Sequence, residues 1–257
     1  YNLKYSSLPD VNFIPYPNSY RCPYEIGYNN YELSLQNLTT ILNDTQTGIS
    51  KPAAIILEPI QGENGVIVPP NEWLQKIRQL TYEHDIILIL DEIQTGFCRT
   101  GKRFAFQYSD ITPDILCLAK AIGGSMPLGV LLFNKKYNIW NEYQHAGTWR
   151  GNQLGMLSGY NTIKYMSDNL LCVNSYNMGI EFYNYMSTII HKYPFIGEVR
   201  HKGLMLALEI VDPTNSNSIN SYLPDPKKTI QIQKKCMENG LLVLRGGSNG
   251  NIIRLMP

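Results

Sequence analysis

Three short apolar runs constrain this chain more than any other feature: AAIIL (53–57), IILIL (86–90) and DILCLA (114–119). They are too short for buried helices and rich in Ile and Leu, so each reads as a strand enclosed on both faces. Between the first two, PNEWLQKIRQLTYEHD (70–85) carries apolar residues at helical spacing, with Pro70 suited to its first turn. PLGVLLF (127–133) adds a further strand. Strands alternating with helices and short glycine-bearing loops predict an α/β fold, a mainly parallel sheet flanked by helices on both sides. Each of the three opening runs ends in an ionisable residue: Glu58, Asp91 and Lys120. Functional groups in such sheets gather at the carboxyl ends of the strands. One charge there is an ordinary surface group, but two acids and a lysine on one edge point to a site.

The remainder divides into two textures. Residues 1–30, including PYPNSYRCPYE (15–25), read as an extended surface loop, and 31–48 as a helix closing on Gly48. Residues 153–167 and 169–192 read as helices, the second opening a new unit. From about residue 197 the chain gives GEVRHKGLMLALEIV, then a polar insert (212–226) and a helix (227–239). LLVL (241–244), the GGSNG turn and NIIRL (251–255) predict a hairpin. These readings divide the chain into part of a large domain, 1–162, and a smaller α+β domain, 163–257.

Composition closes off several function classes. A formal net charge of +1 gives no support to a nucleic-acid surface or a polybasic membrane patch. No run approaches the roughly 18–20 apolar residues of a membrane span. Five cysteines, odd in number and without C-x-x-C spacing, suit a reducing cytoplasm better than a disulfide framework. The four histidines show no metal-ligand spacing, so no metal is expected. GGSNG matches no phosphate-loop spacing and reads as a turn. The chain starts at Tyr1 without a signal-peptide pattern and stops at Pro257 just after a strand-like run, as a piece of something longer would.

Lys120 is the sharpest of the three strand-end charges. AIGGSMP follows it, small residues that leave room around its ammonium, and a lysine in apolar surroundings loses its proton more readily and becomes a nucleophile. A Schiff base to pyridoxal phosphate needs such an amine and an acid that keeps the pyridine nitrogen protonated. Asp91 fits that second role, with Ile93 placed for a ring face and Gln94 for a ring oxygen. On spacing alone the ordinary alternative stays open, because Asp and Lys on neighbouring strands are common.

Four segments taken together, EPIQGENGV (58–66), ILDEIQTGFCRTGK (89–102), PDILCLAKAIGGSMPLG (113–129) and GTWRGNQLGM (147–156), resemble the class III pyridoxal-phosphate-dependent aminotransferases of fold type I. The resemblance runs from about residue 13 to 257. Within the family, PYPNSYRCP and the arginine of GTWRGN look closest to the enzymes that act on diaminobutyrate and 2-oxoglutarate. The resemblance implies Lys120 as Schiff-base lysine and proton carrier, Asp91 against the pyridine nitrogen, Ile93 on the ring, and Gln94 at the ring oxygen. It implies that Thr148 contacts the cofactor phosphate of a neighbouring subunit, hence a homodimer with shared sites. It implies further that Arg254 clamps a substrate carboxylate and that Glu58 pairs with Arg254 while a diamine is bound. Ornithine, acetylornithine and 4-aminobutyrate are the alternative donors. Cys98 and Asn64 stand where relatives usually carry glycine. Family members also have, ahead of the segment matching residue 1, a Gly-Ser phosphate-binding turn and a stacking aromatic. A fragment without them is expected to bind cofactor poorly, and the alternative to an active transaminase is a truncated, catalytically silent fragment that needs another chain.

Overall fold

The computed structural model describes residues 11–22, 31–217 and 221–257. The predicted loop residues 1–10 and 23–30 lie outside it, whereas 11–22 has no regular structure and, against the surface-loop reading, packs Ile14 and Tyr16 on the core of the first sheet. Helix α1 (Tyr31–Asn43) is followed by a 3₁₀ turn that ends on Gly48 in the left-handed conformation. Strand β1 (Ala54–Leu57), helix α2 (Asn71–Glu83), β2 (Ile87–Asp91), β3 (Ile115–Leu118) and β4 (Val130–Phe133) come next. Pro70 caps α2 rather than entering its first turn. The sheet order is β1-β2-β3-β4, with β1, β2 and β3 parallel. Strand β4 runs antiparallel to β3, so the sheet is mixed at its β4 side.

Among the described residues, one face of these strands is packed against helices. Leu88, Leu90, Leu116 and Leu118 point into a core with Trp73, Leu74 and Ile77 of α2 and Leu38 of α1. Burying an apolar side chain of this size stabilises by about 1.5–3 kcal/mol, and Trp73, Ile77, Leu88 and Leu90 are almost wholly removed from solvent. Of the side chains of opposite parity, Ile87, Ile89 and Ile115 on the central strands are half-buried, while Ile56 is 65% and Leu131 56% exposed on the outer ones. Among the described residues α1 and α2 cover only the first face, and a continuous apolar run cannot reveal which of its faces is covered.

Helix α3 (Gln153–Asp168) begins on Asn152, whose side chain accepts from Gly155 N. It packs on the turn that follows β3. A Cβ on Gly159 would come within 3.0 Å of Ile122 O, and one on Gly124 within 2.6 Å of Thr162 Oγ1. Gly124 after Lys120 and Gly159 of α3 therefore let the helix and the turn approach closely. Residue 163 lies inside α3, while α4 (Leu171–Ile189) packs on β5 (Ile196–Lys202).

Strand β5 pairs with β6 (Met205–Asn217), β6 with β9 (Ile252–Leu255) and β9 with β8 (Leu244–Gly246), all antiparallel. β8 and β9 form the predicted hairpin, although residues 241–243 precede its first strand. The polar insert is not an irregular loop: β6 continues into it and pairs with β7 (Ser221–Pro224) before α5 (Pro226–Glu238). No described helix is long and apolar enough to cross a membrane.

Cysteine usage also departs from the sequence reading. Cys98 and Cys172 form a disulfide across a separation of 74 residues. One lies in the turn after β2 and the other in α4, so only the tertiary fold brings them together, and no local spacing announces the pair.

Candidate active site

Parallel pairing puts Asp91 opposite Cys117, and Lys120 follows β3 directly, so the two charges stand at the ends of adjacent strands. Lys120 is exposed and adopts φ +53°, the left-handed region, at the start of the 3₁₀ turn 120–123. Its neighbours are acids: its charge acts to lower the carboxyl pKa of both Glu58 and Glu63.

Asp91 and the adjacent Glu92 have different work. Glu92 is fully buried and accepts from Thr95 Oγ1, Ala105 N and Phe106 N, each at 2.8 Å. Burial raises its pKa, those hydrogen bonds pull it back, and the Asp91 charge adds to the rise. It ties the turn after β2 to the 3₁₀ segment at 105–108. Asp91 accepts from Ile93 N at 2.9 Å and has no ion pair among the described residues, which leaves its carboxylate open to a cation.

Glu58 does not meet Arg254. Its Oε2 accepts from Gly62 N at 2.9 Å, closing the turn beyond β1. Burial raises its pKa, and the Asp91 charge contributes. Arg254, on β9 and 3% exposed, instead donates Nη1 to Glu63 Oε1 at 2.8 Å and Nη2 to Oε2 at 2.6 Å. The reason is local. Gln61 and Ile67 pair through their backbones and make residues 61–67 a tight turn whose tip swings Glu63 towards β9. Glu63 also accepts from Gln94 Nε2 at 3.1 Å. Burial alone would raise the Glu63 pKa, but the Arg254 and Gln94 hydrogen bonds and the charges of Arg254 and Lys120 lower it. Sequence reasoning missed Glu63, although it is the second acid of the same motif, between two glycines.

Asp91, Lys120, Glu58, Gln94 and Arg254 thus share one region, with Ile93 half-buried beside Asp91. Thr148 lies on the exposed stretch between β4 and α3, with no hydrogen bond to that group among the described residues.

The residues fit pyridoxal phosphate on two observations. Asp91 is an unneutralised carboxylate at a strand end. Gln94 Oε1 is buried without a hydrogen-bond partner, packed so closely over Gly62 that a Cβ there would lie 1.7 Å from it. A buried acceptor of this kind calls for a donor from a ligand.

A sheet that delivers a lysine and an aspartate from adjacent strand ends, beside an arginine held by an acid, defines the class of fold-type I pyridoxal-phosphate proteins. The aminotransferase class-III family profile matches residues 2–257, and the chain belongs to that family. It is 43% identical over 251 residues to a diaminobutyrate–2-oxoglutarate aminotransferase of Haemophilus influenzae, covering 97% of this chain and 55% of the relative. The corresponding enzyme of Rhizobium meliloti is 39% identical over 252 residues, covering 97% and 54%. The chain therefore spans little more than half the length of these curated relatives. Among solved structures, an amine transaminase from an uncultivated Pseudomonas species, in a pyridoxal-phosphate-bound form, superposes with a TM-score of 0.81 at 31% identity, over 95% of this chain and 56% of that one. An acetylornithine aminotransferase from Elizabethkingia anophelis gives 0.75 at 33% identity, over 90% and 54%.

Proposed function

We propose that the protein of which these residues form part transfers the terminal amine of 2,4-diaminobutyrate to 2-oxoglutarate, in two alternating half-reactions. The observation that carries the reading is Lys120 and Asp91 on adjacent strand ends, beside a carboxylate-binding arginine already occupied by an internal acid. The likeness to two diaminobutyrate enzymes favours that donor over ornithine, acetylornithine or 4-aminobutyrate.

When bound, pyridoxal phosphate supplies the carbonyl carbon that takes up the amine and the electron sink that stabilises charge on the substrate carbon. In this reading Lys120 holds the carbonyl end, Asp91 the ring nitrogen, Ile93 the ring face and Gln94 the ring oxygen. Once the substrate amine replaces it at the carbonyl carbon and frees its amine, Lys120 Nζ would take the proton from the amine-bearing carbon of the substrate. Asp91 would accept a hydrogen bond from the ring nitrogen and favour its protonated form. Arg254 binds a carboxylate of 2-oxoglutarate through its two-pronged fork, as arginine does best. While the cationic diamine occupies the site, Glu63 takes that carboxylate's place and keeps Arg254 neutralised. Glu58, in the role left to it, braces the turn that carries Glu63. Residues 1–162 contribute to the cofactor-binding domain and 163–257 to the smaller one, a boundary that falls within α3.

A homodimer with shared sites belongs to the same reading. Thr148 would serve the partner's cofactor phosphate, and the open apolar residues of β4 and α3 (Leu131, Leu132, Leu154, Leu157) suit coverage by further polypeptide. No membrane or nucleic-acid partner enters the proposal, and the reaction needs no compartment other than the cytoplasm.

The test is a donor panel run one half-reaction at a time on the intact enzyme. Diaminobutyrate should convert the cofactor spectrum faster than ornithine, acetylornithine or 4-aminobutyrate, and 2-oxoglutarate should restore it. Faster conversion by any of the other three would overturn the donor assignment.

A further inference from the structure

The Glu63–Arg254 pair depends on where the 61–67 turn is held, and the structure shows that turn fastened from both sides by the C-terminal sheet. On one side Arg200 of β5 reaches it: Nε and Nη2 both donate to Gly65 O, at 3.1 and 2.9 Å. On the other, Gly247 N donates to Glu63 O at 2.9 Å and Ser248 N to Asn64 Oδ1 at 3.1 Å. Gly65, at φ +110°, lies so close to Ile252 that a Cβ would come within 2.8 Å of its Cγ1. The main chain of the turn is therefore fixed, while the Glu63 side chain keeps 39% of its surface.

Arg200 is 9% exposed, and its third nitrogen is committed elsewhere. Nη1 meets Glu209 at 2.6 Å and also pairs with Glu198. Glu209 in turn takes Arg21 Nε and, at 3.2 Å, Asn251 Nδ2. If Arg200 only balanced charge inside its own sheet, the two acids would suffice. Two of its nitrogens instead converge on a carbonyl 135 residues away, in the turn that carries the acid facing Arg254.

We propose that Arg200 is a positioning residue. Its guanidinium, braced by Glu198 and Glu209, locks the backbone of residues 61–67 so that Arg254 changes partner by rotation of the Glu63 side chain alone. This rests on the reading above that Arg254 receives a substrate carboxylate. A locked backbone returns Glu63 to the same place in each half-reaction, so the arginine is neutral whenever the cationic donor is present. With a loosened turn, the donor faces an uncompensated guanidinium, whereas the dicarboxylate, which itself neutralises Arg254, is little affected.

The experiment uses Arg200→Lys, which keeps the charge facing Glu198 and Glu209 but loses the planar fork on Gly65 O. Arg21→Gln is the control, because it disturbs the same ion cluster without touching the turn. In the intact enzyme, Arg200→Lys should lower kcat/KM for the diaminobutyrate half-reaction about tenfold, the worth of one charge-assisted hydrogen bond, and change that for 2-oxoglutarate less than about twofold. Amide exchange at Gly65, Val66 and Ile67 should accelerate by about tenfold or more, with Met205–Val211 unchanged. Arg21→Gln should leave the ratio of half-reactions as in the parent. An unchanged turn and ratio in Arg200→Lys would overturn the proposal. So would equal acceleration in β6, or the same ratio change in Arg21→Gln, since either makes Arg200 merely structural. If the parent shows no diaminobutyrate half-reaction, the substrate reading fails by itself, and amide exchange alone then decides whether Arg200 holds the turn.

Discussion

In the C-terminal sheet Arg200 sits between Glu198 and Glu209, Glu209 also holds Arg21 and Asn251, and Arg200 and Glu209 are almost sealed from water. At the carboxyl edge of the β1–β4 sheet, Lys120 is exposed and Asp91 has no ion pair among the described residues. Both places bring acids and bases close together, with opposite treatment. Buried charges that are fully paired hold a structure, and removing one partner strands the other. Charges held at strand ends without a partner cost little to keep there and remain available to a ligand. Glu92 and Asp91, adjacent in sequence, repeat the contrast: the first is used up by three donors and the second is not.

The strongest challenge to that contrast is Lys120→Ala. Transamination should fall by on the order of 10⁴-fold or more, and the visible absorbance of bound cofactor should vanish. Stability should shift by no more than about 0.5 kcal/mol, because the side chain is exposed. A large loss of stability measured by denaturant unfolding would show that the edge is structural after all.

Asp91→Asn should come next, slowing turnover about 10²–10³-fold, as removal of one preorganised charge does, with the unfolding midpoint retained. Near-parental rates would reduce Asp91 to a cap for Ile93 N. The C-terminal sheet should answer in the other currency: Glu209→Ala leaves Arg200 and Arg21 short of a counter-charge and should destabilise by about 3–5 kcal/mol in equilibrium unfolding. A change below about 1 kcal/mol would mean that Glu198 alone carries the cluster.

Glu63→Gln should change stability far less than Glu209→Ala, by under about 1 kcal/mol at neutral pH, since Glu63 is partly exposed and solvent screens the pair. Its sign with pH is fixed. The Glu63 pKa is lowered from the ordinary 4.5, so its contribution is present above that value and is lost as pH falls through the lowered one. The difference in melting temperature between parent and Glu63→Gln should therefore shrink on acidification below about 4.5. A difference that grows on acidification would contradict the ion pair.

Much of the first sheet was legible because a short Ile- and Leu-rich run between turn signals has few other folds open to it. The strands over 53–58, 86–90 and 114–119 and the helices between and after them appear near their expected bounds. The antiparallel sense of β4 was not legible, since Val130–Phe133 is apolar in either direction. Nor was the extension of β6 through Asp212–Asn217, where pairing with β7 overrides polar, turn-forming residues. The positions of Lys120 and Asp91 at adjacent strand ends were legible from the apolar runs that precede them. The partner of Arg254 was set by a turn geometry that no spacing rule contains, and so Glu63 stands where Glu58 was expected. The cysteine pair was hidden for the same reason: its closeness belongs to the tertiary structure.

That pair also gives the polypeptide a topology. The bond between Cys98 and Cys172 closes a covalent ring around the intervening sequence, and both Lys120 and Thr148 lie within it. In the chain-entropy account, a closure of this length disfavours the unfolded state by about 4 kcal/mol. The exposed stretch from Leu131 to Gln153 is part of the ring. A protease that nicks it would thus produce two pieces that still migrate as one, and that come apart only when a thiol reductant is added.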